Sequence, residues 1–312
     1  MPPSRKVGKP FLDAMAAHRR TLDRLLDQRS VKALQKLYDQ SQSEMERKLA
    51  ALTRAGRRDS MTAYQLQLLK TQTREAQARI AAKMANAMGP ITRDTQAEAV
   101  RQASNTITTL ERKFTGAEIS LPLEEAATFR GIIEGRTSSL VKANQLSFAR
   151  YGAVLTDKME QELALSLMTG ETPIMAIDRI MAVAGNQWWQ AERIVRTETA
   201  YAFNASHADA IVAAQEELPD LYERWTEYVD DTTGKPLDDR VAADSLVLHG
   251  QVVAAGRSFV MPPDERVPAK YWGKTFAHPP NRPNDRAVLL PWRPGWPAPA
   301  WEWRDGARKT LR

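Results

Sequence analysis

Apolar residues recur every three or four positions through most of residues 21–116, and this spacing limits what the front of the chain can fold into. It predicts three long amphipathic helices, separated at Gly56 and at Gly89-Pro90, because proline lacks an amide N–H and clashes inside a helix. Each apolar stripe is narrow, so it buries one face and leaves the rest in water. We therefore expect an extended hairpin or bundle, with a face that also suits pairing with a second copy of the chain.

Helix is predicted to continue through the middle of the chain. The predicted spans are 120–170, 172–185 and 188–217. Thr172-Pro173 is the clearest start signal, because threonine caps a helix and proline is tolerated in the first turn.

The composition changes near residue 188. All eight tryptophans lie at or after Trp188, and twelve of the eighteen prolines lie at or after Pro219. Short apolar runs between turn residues predict strands at 225–229, 247–248, 251–253 and 288–290, a tight turn at His249-Gly250, and an extended segment over 291–303. The expected fold class is mainly α with a small α+β C-terminal domain.

Charge follows a similar division. Residues 1–116 contain 22 Lys and Arg against 11 Asp and Glu, whereas the remainder contains 22 against 27. A basic front suits a polyanion such as DNA, although ordinary solvated helices explain scattered cations equally well. The expected divisions are a disordered or extended arm (1–17), a basic long-helix region (18–116), a helical connector (117–187), an α+β domain (188–303) and a basic tail (304–312).

Several classes of site are excluded by composition. The chain has no cysteine, which rules out disulfides, thiolate zinc sites and a cysteine nucleophile. No stretch of eighteen apolar residues is present, so we expect no membrane span and no membrane partner. The basic N-terminus has no apolar signal core behind it, which predicts a protein that stays in the cytoplasm or leaves inside a particle.

The most specific motif lies in the last predicted helix. It contains Arg193, Arg196, Thr197 and Glu198, with Asn204 further along. Later fragments follow in order: Trp225 at a strand start, Asp239-Arg240, Leu248-His249-Gly250 and Pro283-Asn284. Over roughly residues 160–292, this series resembles the head morphogenesis proteins of tailed bacteriophages related to the Mu minor head protein.

The resemblance implies a structural minor head protein rather than an enzyme, with no cofactor and no metal. It implies a place in the virion, near the portal vertex or on the inner shell, after assembly in the host cytoplasm. The implied partners are the portal protein, the major capsid protein, or both, and packaged double-stranded DNA bound without sequence preference.

The sequence departs from the family pattern where many relatives carry one histidine and two cysteines. Ser245, Asp285 and Ala287 stand at those places. Loss of all three together indicates that they held the fold and were not a reaction centre. We hypothesise that tryptophan packing replaces them, through Trp272, Trp292, Trp296, Trp301 and Trp303.

The helix motif has a simple physical interpretation. Glu192 and Arg196 are four residues apart, which predicts a pair on one helix face. We interpret Arg196 and Glu198 as polar anchors that hold the helix on the C-terminal sheet, because buried arginine–carboxylate pairs are usually structural. A catalytic role would need a pocket and a substrate.

The alternative from another class is a metal-dependent, nuclease-like enzyme that processes DNA and carries a basic helical arm. Its site would combine His249, His278 and Asn281 with Asp244 or Asp285. The two remaining histidines, His18 and His207, have no partner recognisable by spacing. No phosphate loop, zinc-protease motif, hydrolase elbow or separate ADP-ribosyl transferase segment is present, and no helix-turn-helix signature supports a stand-alone DNA-binding protein.

Overall fold

The structure, a computed structural model, describes residues 9–53, 59–123, 126–229, 236, 241, 243–283, 285–296, 301–304 and 307–310. The helices are α1 (Lys9–Asp23), α2 (Lys32–Leu52), α3 (Ala63–Phe114), α4 (Ala127–Met168), α5 (Pro173–Asn186), α6 (Trp188–Ala214) and α7 (Ala243–Leu246), with a π-helical segment (Arg24–Val31) between α1 and α2. The strands are β1 (Tyr222–Thr226), β2 (Val252–Ala254), β3 (Phe259–Val260), β4 (Thr275–Phe276), β5 (Val288–Trp292), β6 (Trp301–Arg304) and β7 (Ala307–Thr310). Long helices followed by a few short antiparallel strands confirm the predicted fold class.

The chain divides into two compact units, each built from separate stretches of sequence. Residues 27–91 and 138–196 form the helical unit, and residues 1–26, 92–137 and 197–312 form the mixed unit. The long helices α3, α4 and α6 each contribute residues to both units.

The core of the helical unit is built from the apolar stripes of its helices. Its most buried side chains include Leu34, Met84, Phe148, Met159 and Ile180. Helix α5 begins as predicted: the Thr172 hydroxyl accepts a hydrogen bond from the amide of Met175, and Pro173 occupies the first turn.

The mixed unit contains a three-stranded antiparallel sheet in the order β2-β1-β5. Trp225 of the central strand is fully buried, and its ring lies 5.3 Å from Phe259 and 6.2 Å from Phe276. The core extends from this ring to buried side chains of α1 and α3, including Phe11 and Ile107. Strand β5 is an edge strand, the position in a sheet where Pro291 is tolerated.

Helix α3 runs through Gly89 and Pro90, so the prediction that these residues end a helix is wrong. A proline in a helix interior costs about 3 kcal/mol through one lost hydrogen bond and a steric clash. Met88 and Thr92, on either side of the pair, are at most 2% exposed. Burial of the neighbouring turns outweighs the local cost of the proline.

Three other local predictions are corrected. Helix α1 covers residues 9–17, where an extended arm was expected, because Phe11 is buried in a core. Helix α4 begins at Ala127 and not at Ser120. Val247 and Leu248 form a buried turn after α7 instead of a strand, since a short apolar run looks the same in either setting.

Candidate functional site

Asn204 joins helix α6 to the edge of the sheet. Its side chain is fully buried, and its Nδ2 donates to the carbonyl oxygens of Ala200 at 3.1 Å and Ala287 at 3.2 Å. Its Oδ1 accepts the amide N–H of Leu289 at 3.0 Å. One amide side chain therefore occupies the place that a neighbouring strand would take beside β5, and it satisfies backbone groups at the sheet edge.

The residues around the predicted tight turn form hydrogen bonds with the backbone of β1 on the side that faces β2. The amide of Gly250 donates to the Trp225 carbonyl at 2.8 Å, and the amide of Trp225 donates to the Gln251 carbonyl at 3.0 Å. Gly250 has φ of +83°, a conformation that favours glycine. His249 Nδ1 accepts the amide N–H of Glu227 at 3.0 Å, so this nitrogen is unprotonated.

The arginines of the helix motif have partners in the helical unit. Arg196 forms ion pairs with Glu192 at 2.8 Å, as predicted, and with Asp27 at 2.6 Å. The guanidinium of Arg193 lies 5.2 Å from the centre of the Trp189 ring. The hypothesis that Arg196 anchors α6 to the sheet is therefore wrong, because its partners lie on α6 itself and in the π-helical segment.

The remaining motif residues divide into two groups. Thr197 and Glu198 are partly buried on α6. Asp239, Arg240 and Asn284 lie outside the described residues. Asn204, which the sequence placed only as a motif member, provides the contact with the sheet that we expected of Arg196.

A buried polar centre follows β1 at Glu227. Its carboxylate accepts the indole N–H of Trp225 at 2.8 Å, and the Arg19 guanidinium donates to its backbone carbonyl. Burial, reinforced by the nearby carboxylate of Asp285, raises the pKa of Glu227 well above its usual range. Asp285 itself accepts the backbone amides of Asn281 and Ala287 at 3.0 and 2.9 Å. Sequence reasoning missed this centre, because Arg19 is distant from β1 along the chain.

Two histidines that are far apart in the sequence, His18 and His207, form a buried pair. His18 Nδ1 lies 3.0 Å from the Ala14 carbonyl oxygen, and the Nε2 atoms of His18 and His207 are 3.2 Å apart. Because the Ala14 carbonyl oxygen can only accept, neutral His18 carries its proton on Nδ1, and its Nε2 is left as an acceptor. Burial lowers the pKa of His18 to about 4, and it lowers the pKa of His207 well below its ordinary value.

The residues of the nuclease-like alternative are only partly brought together. The side-chain oxygen of Asn281 accepts a hydrogen bond from the Ser245 hydroxyl at 3.0 Å, and its backbone amide donates to the Asp285 carboxylate. His278 instead packs its ring 4.6 Å from Tyr201 and hydrogen-bonds the Pro279 carbonyl at 2.6 Å. The side chain of Asp244 lies outside the described residues. In the part of the chain that the structure describes, no group of three His, Cys, Asp or Glu side chains is placed to hold a metal ion.

The tryptophans of the packing hypothesis have separate partners. Trp296 is buried and donates its indole N–H to Glu111 at 3.0 Å, whereas Trp292 packs 5.8 Å from Tyr222. Trp272 is 44% exposed. The side chains of Trp301 and Trp303 lie outside the described residues. Trp272, Trp292 and Trp296 therefore make separate contacts, and these contacts do not include one another.

Comparison with known proteins gives no relative: no family model, no curated protein and no solved structure matches this chain. Within the described residues, no helix combines the length and hydrophobicity that a membrane crossing requires.

Proposed function

We propose that this chain is a structural minor head protein of a tailed bacteriophage, which acts in head assembly near the portal or on the inner shell. Its partners would be the portal or major capsid protein, with non-specific contact to packaged double-stranded DNA. The proposal rests on the resemblance of residues 160–292 and on what the motif residues do in the structure.

The observation that carries the proposal is the set of main-chain contacts made by the motif residues. Asn204 bonds the backbone of β5, Gly250 bonds the backbone of Trp225, and His249 accepts the amide of Glu227. Through these contacts, the motif residues fix the position of α6 on the small sheet and the geometry of the turn beside β1. A motif that fixes a rigid module is what a docking component needs, because a preformed surface binds with a smaller loss of conformational freedom.

The test is to delete the gene from the phage genome that carries it and to examine the particles by electron microscopy and mass spectrometry. We expect the chain to be present in purified wild-type heads, and infectious heads to be lost on deletion and restored by the wild-type gene. Normal yields of infectious particles that contain no copy of the chain would contradict the proposal.

The enzyme alternative is separated by a second assay. Purified full-length protein is incubated with duplex DNA and Mg²⁺ or Mn²⁺, beside a His249→Ala variant whose folding is checked by circular dichroism. The proposal predicts no cleavage above the background of the variant. Metal-dependent cleavage that disappears in the folded variant would favour the DNA-processing enzyme.

A further inference from the structure

A shallow apolar groove of about 550 Å³ runs between α3 and α4 in the helical unit. Half of its lining residues are alanines, and the two helices approach closely at Gly152. A Cβ atom added to Gly152 would lie 3.0 Å from the Cβ of Ala81. The two helices are antiparallel, because Arg74 pairs with Glu160 at 2.6 Å while Gly89 lies beside Val141.

Two large apolar side chains are exposed on α4 near residues that line the groove, since Leu146 precedes Ala149 by three residues and Val154 precedes Asp157 by three. Leu146 is 61% exposed and Val154 is 47% exposed, and the two are eight residues apart, or about two helical turns. The opposing surface of α3 presents the small side chains of Ala78 and Ala82, both exposed. The surface thus carries large apolar side chains on one helix and small side chains on the other.

From these features we propose that the groove is the interface with a second copy of this chain. A two-fold axis parallel to the helices would place α3 of each copy against α4 of the other, giving an antiparallel four-helix arrangement. The antiparallel register puts Val154 of one copy over Ala78 of the other, and Leu146 over Ala82 and Ala85. Each projecting side chain then fills a hole twice, as the symmetry requires.

Charge complementarity supports a second copy as the occupant. Arg74 on α3 and Asp157 on α4 line the same end of the groove, and both are exposed. In this arrangement Arg74, which pairs with Glu160 of its own copy, also faces Asp157 of the other copy. Two such arginine–aspartate contacts then lie at one end of the apolar centre. The surface is complementary to itself in shape and in charge.

The first test is sedimentation equilibrium of the full chain with single substitutions in the groove. We expect wild-type protein to be a dimer, and Ala82→Glu and Ala149→Glu each to weaken dimerisation more than about tenfold, because a carboxylate would be buried among alanines. Ala51→Glu, at an exposed alanine of α2 outside the groove, is the matched control. A monomeric wild-type protein, or a dimer that resists both substitutions, would overturn the proposal.

The second test reports which helices face each other. Because the chain has no cysteine, Ala82→Cys and Ala149→Cys introduce single thiols that can be crosslinked without background. An equimolar mixture of the two variants should form a disulfide-linked dimer on oxidation, whereas each variant alone and a mixture containing Ala51→Cys should not. Crosslinking of either variant alone, or no crosslinking in the mixture, would contradict this interface.

Discussion

Asn204 is the residue on which the attachment of α6 to the sheet depends. Replacing it with alanine would leave the Leu289 amide and the Ala287 carbonyl without the partners they have now. A buried group that loses its partner costs about 1–3 kcal/mol, so Asn204→Ala should lower the free energy of unfolding by roughly 2–4 kcal/mol.

Urea denaturation followed by circular dichroism measures this loss. Asn105→Ala is the control, since Asn105 is exposed on α3 and its substitution should change stability by less than about 0.5 kcal/mol. Equal effects of the two substitutions would show that the amide does not hold the sheet edge.

The pair of His18 and His207 makes stability depend on pH. Both pKa values are lowered by burial, so the unfolded chain takes up protons below about pH 6.5, whereas folded His18 does so only near pH 4. The unfolded state therefore binds more protons, and this contribution to stability decreases as the pH falls through that window. For His18 alone, the decrease is roughly 3 kcal/mol.

Comparison of wild type with His18→Gln isolates this effect. The comparison is necessary because Glu223 acts in the opposite direction. Burial raises the pKa of Glu223 to about 7, so its contribution to the free energy of unfolding increases as the pH falls. Urea denaturation from pH 7 to pH 4 should show a steeper decrease for wild type than for the variant. Parallel curves would mean that His18 is protonated in the folded protein as readily as in the unfolded chain.

At the scale of elements, Gly89 of α3 and Gly152 of α4 have opposite roles. Gly89 has space for a side chain, because an added Cβ would lie 4.0 Å from Val141, an ordinary contact distance. Gly152 has none, because its Cβ would lie 3.0 Å from Ala81. Gly89→Ala should therefore stabilise by about 0.5–1 kcal/mol through helix propensity, whereas Gly152→Ala should destabilise.

Thermal unfolding of the two alanine variants checks this contrast, with each variant serving as the control for the other. A destabilising Gly89→Ala would indicate that α3 needs glycine beside Pro90 for backbone geometry and not merely tolerates it.

At the scale of the whole molecule, we predict DNA binding for the full chain and not for an isolated fragment of residues 1–116. Residues 1–116 contribute to both compact units, so the fragment would lack parts of each core. Several cations of this region are paired, such as Lys48 with Glu44 at 2.6 Å, which reduces the charge available to phosphates. We expect weak binding of duplex DNA that falls at least about tenfold between roughly 50 and 200 mM salt.

Fluorescence anisotropy with a duplex of arbitrary sequence measures this binding. Substituting both Lys32 and Lys36 with glutamine should weaken it, since these two side chains are exposed one turn apart on α2. Lys48→Gln, which removes a cation that is already paired, should have a smaller effect. Binding that is insensitive to salt would contradict a phosphate-based contact.

Local sequence determined the elements whose signals lie within a few residues of each other. One strand is an exception: it was expected at 225–229 with Trp225 at its start, which is three residues too late, because β1 spans Tyr222–Thr226. The apolar spacing predicted the long helices, Thr172-Pro173 predicted the start of α5, and an apolar run predicted β5. These predictions succeeded because helix caps, helical periodicity and strand propensity act between near neighbours in the chain.

Tertiary structure decided every contact that joins distant parts of the chain. His18 meets His207, Arg196 meets Asp27 rather than the sheet, and Asn204 takes the strand-like place beside β5. Helix α3 also continues through Pro90, although proline disfavours a helix interior, because the residues on either side of it are buried. The physical reason is the same in each case: burial free energy depends on which surfaces meet in space, and the spacing of residues along the chain does not specify that.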